Sequence, residues 1–410
     1  MVTTLVLGPI QNSRILEIRH VEGDVARETE GHPPLIAGLL ELGPTLQADY
    51  PGKTLLLLAN IDSNVWDIQR YEAELREYYT FAFPSLDTIR TTNSKTEFPR
   101  LAEKFNMSVP TTVSFDLNDG AEAVISQLMN SEADFPWVVK PVYGYGYERL
   151  SWPGKAKVYT VHTVDELGEL INMLIEATRD HPRARQFVAQ PRVEGNDSYN
   201  LSITAYVDSA GKVTMLGSAQ VLLEDHTPSA LGNPAAMITE RYPALYEQVT
   251  RFLEGVDWHG FANFDVKVDS RTGQAYFFEV NPRIGRNLYY NTAAGLNPMT
   301  FLVDDVIYGR SVELEQIPER IYYSYLPKHL VLHYVDSEMA KKIEYLHRAN
   351  RVVHPLLNPA ERDLSIRAAK REAYIRLSTQ KHWLKFRRNF PVEDYRKLGD
   401  TSFDSGPLRR

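Results

Sequence analysis

The sequence predicts a mixed α/β and α+β protein of two or three domains. Three observations carry this. Its 410 residues exceed what one core usually organises, at ~150 residues per domain. Short aliphatic runs alternate with amphipathic stretches in the N-terminal part, the pattern of layered strands and helices. Farther along, paired strand-like segments flank polar turns, which implies antiparallel hairpins.

Val2–Leu7 and 54–59 are aliphatic runs of the kind found in buried parallel strands, and 67–79 has the spacing of an amphipathic helix. Together they predict a small N-terminal α/β layer domain, residues 1–94. Residues 95–106 read as a helix ended by Pro110, which starts an extended stretch over 111–115. Ala121–Met129 reads as a helix and 137–140 as a strand. Thr163 followed by Glu166 is a capping-box signal for a helix over 163–178. Strands are expected at 187–190, 199–207 and 213–222, the last two joined by a turn at DSAGK, starting at Asp208.

Composition narrows the chemistry. With no cysteine, disulfides, thiolate metal sites and a cysteine nucleophile are excluded. A net charge of −8 argues against a nucleic-acid-binding surface. The opening MVTTLVLGPIQNSR reads as a strand rather than a signal peptide, and no aliphatic run approaches the ~20 residues of a membrane span, so a cytoplasmic placement is expected. Residues 361–410 hold 13 Lys or Arg against 7 Asp or Glu, a local charge of +6. There KHWLKFRRNF interleaves aromatics and bases. It reads either as a solvated helix packed on the body or as a dock for a phosphate-rich or membrane-surface partner.

The densest chemical signal is GFANFDVKVDSRTGQAYFFEVNPRIGR, starting at Gly260. Alternate residues of a strand share a face, which groups Asn263, Asp265 and Lys267, and on the return strand Glu279 and Asn281. If the loop 270–274 closes the hairpin in register, Asp265 lies opposite Glu279. Two carboxylates and an amide oxygen in one patch suit Mg²⁺ when phosphates supply the remaining ligands. An ordinary exposed sheet face with a cross-strand Asp–Lys–Glu network reads equally well. Arg283 and Arg286 follow, placed for an anionic substrate or a transferring phosphoryl group, or for surface ion pairs. Upstream, WVVKPVYGYGYERL runs a strand lysine, Lys140, into a loop with Gly144 and Gly146, where backbone N–H groups can approach phosphate or simply form a turn. In FVAQPRVEGNDSYN a strand and short linker lead to acids at Glu194 and Asp197. Walker A, Rossmann, H-E-x-x-H and G-x-S-x-G motifs are absent.

The order of these pieces is more telling than any one of them. A lysine before a helix, a strand lysine with a glycine loop, a strand–linker–acid segment and D…E-x-N on a hairpin resembles the ATP-grasp superfamily. FEVNPR is the most specific part. Within it the chain is similar to carboxylate–amine ligases, and LLLLANIDSNVWDIQRYEAEL with FFEVNPRIGRNLYYNTAAGLNP is similar to D-aspartate ligases of cell-wall synthesis. The resemblance implies a Rossmann-like pre-ATP-grasp domain over 1–94 and an ATP-grasp region over 95–335. The latter would comprise a lid at about 120–190 and a metal and substrate part at about 191–335, followed by a mostly helical basic extension over 336–410.

It further implies ATP as co-substrate with Mg²⁺, two ions, Mn²⁺ being the alternative metal. Lys95 and Lys140 would contact adenine and phosphates, Tyr143, Gly144, Tyr145, Gly146 and Tyr147 would form the lid, and Gln190 to Val193 the adenine linker. Asp197 would take the ribose. Asp265, Glu279 and Asn281 would hold metal. Arg283 would be catalytic alongside Lys140, and Arg283 and Arg286 would bind the acid. The implied substrates are an amino acid, D-aspartate, and the side-chain amine of a nucleotide- or lipid-linked peptidoglycan precursor. His226 and the loop 224–233 are expected to close over the acceptor. Competing readings are a ligase for other amino acids or small peptides, a non-catalytic ATP-binding sensor or partner protein, and a biotin-dependent carboxylase, whose usual carrier segment is not recognisable in this chain.

Overall fold

The N-terminal strands pair antiparallel. In the computed structural model, which describes residues 2–7, 17–22, 31–131, 134–142, 147, 150–227, 230–357 and 366–409, β1 (Val2–Leu7) runs against β2 (Glu17–Glu22) with Val2 opposite Glu22. This corrects the expected parallel strand. Only residues 8–16 separate the two, too few for the crossover that parallel pairing needs. The second aliphatic run does lie extended, with Leu55, Leu57 and Ala59 buried in alternation. Its pairing is a single parallel bridge, Leu56 with Thr80, with Leu57 N–H donating to Thr80 O at 2.9 Å. A helix over Pro34–Asp49 buries Ile36, Leu39, Gly43 and Leu46 against this run. The helix expected at 67–79 is split into Asp62–Arg70 and Glu72–Leu75.

The chain divides into two compact units, one of Arg90–Glu194 with Lys267–Glu279, the other of Met1–Ile89, Gly195–Val266 and Val280–Arg410. The smaller unit holds β3 (Val113–Asp116), β4 (Trp137–Pro141), β5 (Tyr159–Val161) and β6 (Gln186–Pro191), an antiparallel sheet in the order β3-β6-β4-β5. Helices Ala121–Met129 and Val164–Ala177 cover it, burying Val124, Leu128, Ile171 and Leu174 with Trp137, Val139 and Phe187. Thr163 caps the second helix through Glu166 N–H at 3.2 Å. The Glu166 carboxylate reaches back to His162 N–H at 2.7 Å, one residue beyond the position a capping box would use. The hairpin tip Lys267–Glu279 is stitched in by Ser270 N–H to Glu194 O at 2.9 Å and Phe277 N–H to Ser108 O at 2.8 Å. Its turn closes with Asp269 N–H on Gln274 O at 2.8 Å, and Gly273 takes a left-handed φ of 74°.

The larger unit is organised by a sheet in the order β11-β10-β7-β8-β9-β13-β14, with β12 on β8. Its strands are β7 (Asn200–Val207), β8 (Val213–Asp225), β9 (Asn233–Thr239), β10 (Gly260–Val268), β11 (Ala275–Asn281), β12 (Glu315–Gln316), β13 (Tyr322–Ser324) and β14 (Val352–Val353). The tips of β10 and β11 belong to the smaller unit. The expected turn between β7 and β8 is present, Asp208 Oδ1 accepting from Ala210 N–H at 3.0 Å and Lys212 N–H at 2.9 Å.

Preceded by the helix Lys328–Tyr334, the C-terminal extension is helical, with Ser337–Arg348, Ile366–Gln380, His382–Asn389 and Val392–Lys397. It shares a core with the main sheet rather than folding apart, because Leu222, Ala236, Tyr334, Ile343, Phe386 and Tyr395 pack in one cluster. The last residues are laced down by buried amides. Asn196 Nδ2 donates to Gly399 O at 2.8 Å, Gln220 Nε2 to Phe403 O at 2.9 Å, and Phe403 N–H to Ser198 Oγ at 2.8 Å.

Candidate active site

In the smaller unit β4 alternates, with Trp137 and Val139 in the core and Lys140 on the other face, half-buried. Burial presses the Lys140 ammonium below the usual lysine range, the Glu279 carboxylate pushes back, and Lys157 adds to the depression. The Phe278 ring lies 5.4 Å from its Nζ. Lys95 donates to Pro141 O at 2.5 Å, which holds a second ammonium at the end of the same strand. Lys95, Lys140 and Glu279, distant in sequence, are thus gathered in one unit. Exposed Glu279 and buried Val280 break the alternation that buried Ala275 and Phe277 begin.

Tyr143, Gly144, Tyr145 and Gly146 lie outside the described residues. Tyr147, expected at the end of the lid, is instead buried. Its hydroxyl bonds that of Tyr159 at 2.6 Å, and its ring meets Trp152 and Phe187 edge-on. Gln190 spends its side-chain amide on Thr112 Oγ1 at 2.8 Å, Val193 is buried, and Arg192 N–H between them bonds Pro136 O at 2.8 Å.

In the larger unit Asp197 is buried in the turn before β7. Its Oδ2 accepts from Glu224 N–H and from His226 Nε2–H, both at 2.9 Å. The His226 ring stacks on Phe390 at 3.5 Å between centroids. Burial would push the imidazole down, but the Asp197 hydrogen bond and the charges of Asp197, Glu224 and Asp225 outweigh it and raise its pKa. Replacing Asp197 with Asn is therefore expected to lower the His226 pKa, as followed by imidazole NMR titration. In the wild type the raised pKa means this pair's stabilisation is full below pH 6.5 and lost as pH rises through the folded value.

Asp265 is exposed between buried Phe264 and Val266. Asn263, expected on its face, is buried. It accepts from Thr204 Oγ1 at 2.9 Å and its Nδ2 bonds Arg283 O, pinning the loop after β11. Arg283 bonds Asn281 Oδ1 at 3.3 Å and pairs with Asp62 Oδ1 at 2.9 Å. Arg286 is exposed. Its charge is felt at the Tyr325 hydroxyl, which bonds Asp225 Oδ2 at 3.4 Å. Asn281 and Arg283 are thus brought together, whereas the bonded partners of Asp197 are Glu224 and His226. Sequence reasoning missed Asp62, Tyr325 and Phe390. Nothing local marks Asp62 or Tyr325 as a partner, and Phe390 closes the KHWLKFRRNF run with no cue to the ring it meets.

The carboxylates of Asp265 and Glu279 and the amide oxygen of Asn281 are hard donors, chemically suited to Mg²⁺ and poorly suited to a soft metal.

No protein-family model matches the chain. Over 353 residues it is 26% identical to D-aspartate ligase of Enterococcus faecium (strain Aus0004), covering 84% of this chain and 80% of that one. Among solved structures it resembles biotin carboxylase from Campylobacter jejuni in its β-γ-ATP complex, with TM-score 0.50, 14% identity and 68% of this chain covered. It also resembles the biotin carboxylase domain of 2-oxoglutarate carboxylase from Hydrogenobacter thermophilus, in complex with MgADP, ADP and bicarbonate, with TM-score 0.52, 12% identity and 69% covered. The chain spans 58% and 60% of those two structures. Both are ATP-grasp proteins, and a likeness at this level identifies an architecture: this chain has the ATP-grasp fold.

Proposed function

We propose that the chain is an ATP- and Mg²⁺-dependent carboxylate–amine ligase that adds D-aspartate to the side-chain amine of a peptidoglycan precursor, carried on a nucleotide or a lipid. The observation that carries this reading is the similarity to a D-aspartate ligase along 84% of the chain, on an ATP-grasp fold. The presence of Lys140 and Glu279 in one unit, near enough for the carboxylate to act on the ammonium, supports it, because a phosphate and metal site needs both kinds of group.

The reaction runs in two displacements. A carboxylate oxygen of the amino acid attacks the γ-phosphorus of ATP and ADP leaves, giving an acyl phosphate. The amine nitrogen then attacks the acyl carbon, phosphate leaves, and a proton passes to solvent. Lys140 and Lys95 neutralise phosphate oxygens, with Lys140 held ready by its low solvation. By the order of the motifs, Gln190 to Val193 would meet the adenine and Asp197 the ribose. Arg283, steadied by Asp62 and Asn281, faces the transferring phosphoryl group, and Arg286 binds the side-chain carboxylate of the acid. Asp265, Glu279 and Asn281 would hold two Mg²⁺ ions, or Mn²⁺, which neutralise charge on the phosphates. No side-chain nucleophile is needed, in keeping with a chain that has no cysteine.

The test offers Mg·ATP with D-Asp, L-Asp, other amino acids or bicarbonate, each with and without a peptidoglycan precursor, and reads ADP. Release requiring D-Asp and precursor together is expected. With hydroxylamine replacing the precursor, D-Asp should yield a hydroxamate, the trapped acyl phosphate. Release with another acid discards D-aspartate and keeps the ligase chemistry. Stimulation by bicarbonate alone favours a carboxylase, and ATP binding without turnover favours a sensor.

A further inference from the structure

The helix Ile366–Gln380 faces the wrong way for an ordinary surface helix. Ile375, on one side, is its buried residue among those whose burial is described, whereas Ile366, Tyr374 and Leu377 are 77%, 70% and 71% exposed on the opposite side. At 100° per residue these three fall within a face about 80° wide, which Ala369 and Ala373 extend. The following helix, His382–Asn389, buries Phe386 and leaves Leu384 70% exposed. Soluble monomers rarely show clustered large aliphatic and aromatic side chains in this way.

The charge around them is one-sided. Residues 366–389 contain eight Lys or Arg and one Glu, a local +7, against −15 for the rest of the chain, since the total is −8. The single acid, Glu372, is paired with Arg376 at 2.6 Å. Lys370, Lys381, Arg387 and Arg388 are exposed beside the apolar side chains.

We propose that this C-terminal surface docks the protein onto an anionic lipid bilayer, the apolar side chains entering the headgroup boundary and the bases meeting acidic headgroups. Both halves of the surface argue for this occupant. A second copy would set +7 against +7. A soluble polyanion would use the bases and leave Ile366, Leu377 and Leu384 in water. An anionic bilayer uses both at once. Among the described residues no helix is long and apolar enough to cross a membrane, so the contact lies on the surface. The acidic remainder of the chain opposes docking only within a Debye length of about 8 Å of the lipid. The inference stands apart from the ligase reading, since it concerns binding and not turnover.

The test is co-sedimentation of the full chain with phosphatidylcholine vesicles, with and without about one-third phosphatidylglycerol. Roughly tenfold tighter binding to the anionic vesicles is expected, weakened by added salt. Leu377→Glu with Leu384→Glu should abolish binding without changing the thermal midpoint, because both side chains are already exposed. Lys385→Glu with Arg387→Glu, which leaves Ile366, Tyr374, Leu377 and Leu384 in place, should remove the preference for anionic lipid. The proposal is overturned if anionic lipid confers no preference or if neither variant loses binding. It is also overturned if the wild type sediments as a dimer that Leu377→Glu splits, since a second copy then covers the face. Competition by inorganic phosphate as effective as by vesicles would point to a simple phosphate site.

Discussion

Glu279→Gln is expected to lower the rate of amino-acid-dependent ADP release by about 10²–10³-fold, the order of loss when one preorganised charge is removed from a phosphoryl-transfer site. The change is nearly isosteric and the side chain is exposed at the end of β11, so the fold should be untouched and the thermal midpoint unchanged. Two consequences follow from removing one charge. A hard anionic donor proposed for Mg²⁺ becomes a neutral amide oxygen, so more Mg²⁺ should be needed for half-maximal rate. The carboxylate that opposes desolvation at Lys140 also disappears, so the Lys140 pKa should fall further. The second effect has its own readout, since a lysine with a lower pKa reacts faster with an amine-selective reagent near neutral pH. A variant with a rate within a few-fold of wild type would remove Glu279 from the phosphate site. A slow variant whose Lys140 reactivity is unchanged would keep Glu279 as a metal donor and dissolve its coupling to Lys140.

What the sequence could reveal depended on distance along the chain. Ala121–Met129 and the Asp208 turn are settled by neighbours within a few positions, and both were legible. Pro34–Asp49 was not, although Ile36, Leu39, Gly43 and Leu46 follow a helical spacing. Pro44 lies in its interior, where a proline forfeits a hydrogen bond and normally breaks the pattern. The loop expected over 224–233 was only partly a loop, because β8 continues to Asp225 and β9 starts at Asn233. That register places His226 over Asp197. Within the candidate site, residue types and order could be read from FEVNPR and WVVKP, but partners could not. Arg283 finds Asp62 some two hundred positions earlier, and His226 finds Phe390 from the far end of the chain. Such pairs depend on which strands become neighbours, and no local propensity encodes that.

Asp305→Ala should be among the most damaging single changes to the fold, costing about 3–5 kcal/mol and on the order of 10 °C in Tm. The carboxylate is buried in the larger unit and satisfies three donors from three segments. Tyr206 Oη–H reaches Oδ2 at 2.8 Å, His259 Nε2–H reaches Oδ2 at 3.0 Å, and Ser209 N–H reaches Oδ1 at 3.0 Å. Burial alone would raise its pKa. The hydrogen bonds from His259, Ser209 and Tyr206 win and bring it down to about 2. Because the folded value lies below that of an unfolded aspartate, the unfolded chain binds the extra proton first as pH falls. The stabilisation, about 2 kcal/mol from this linkage, is therefore full above pH ~4 and disappears as pH drops through the folded value. Denaturant unfolding of wild type across that acid range should lose stability that Asp305→Ala, already lacking the group, does not lose. Alanine also leaves the Tyr206 hydroxyl, itself pushed up by burial and by Asp305, without an acceptor in the core. Asp305→Asn keeps the shape and one carbonyl oxygen, so it should cost less, about 1–3 kcal/mol. Equal losses for the two variants would mean that charge rather than hydrogen bonding holds these segments together. A loss below about 1 kcal/mol for alanine would mean that apolar packing around Tyr206 and Phe261 suffices without the carboxylate.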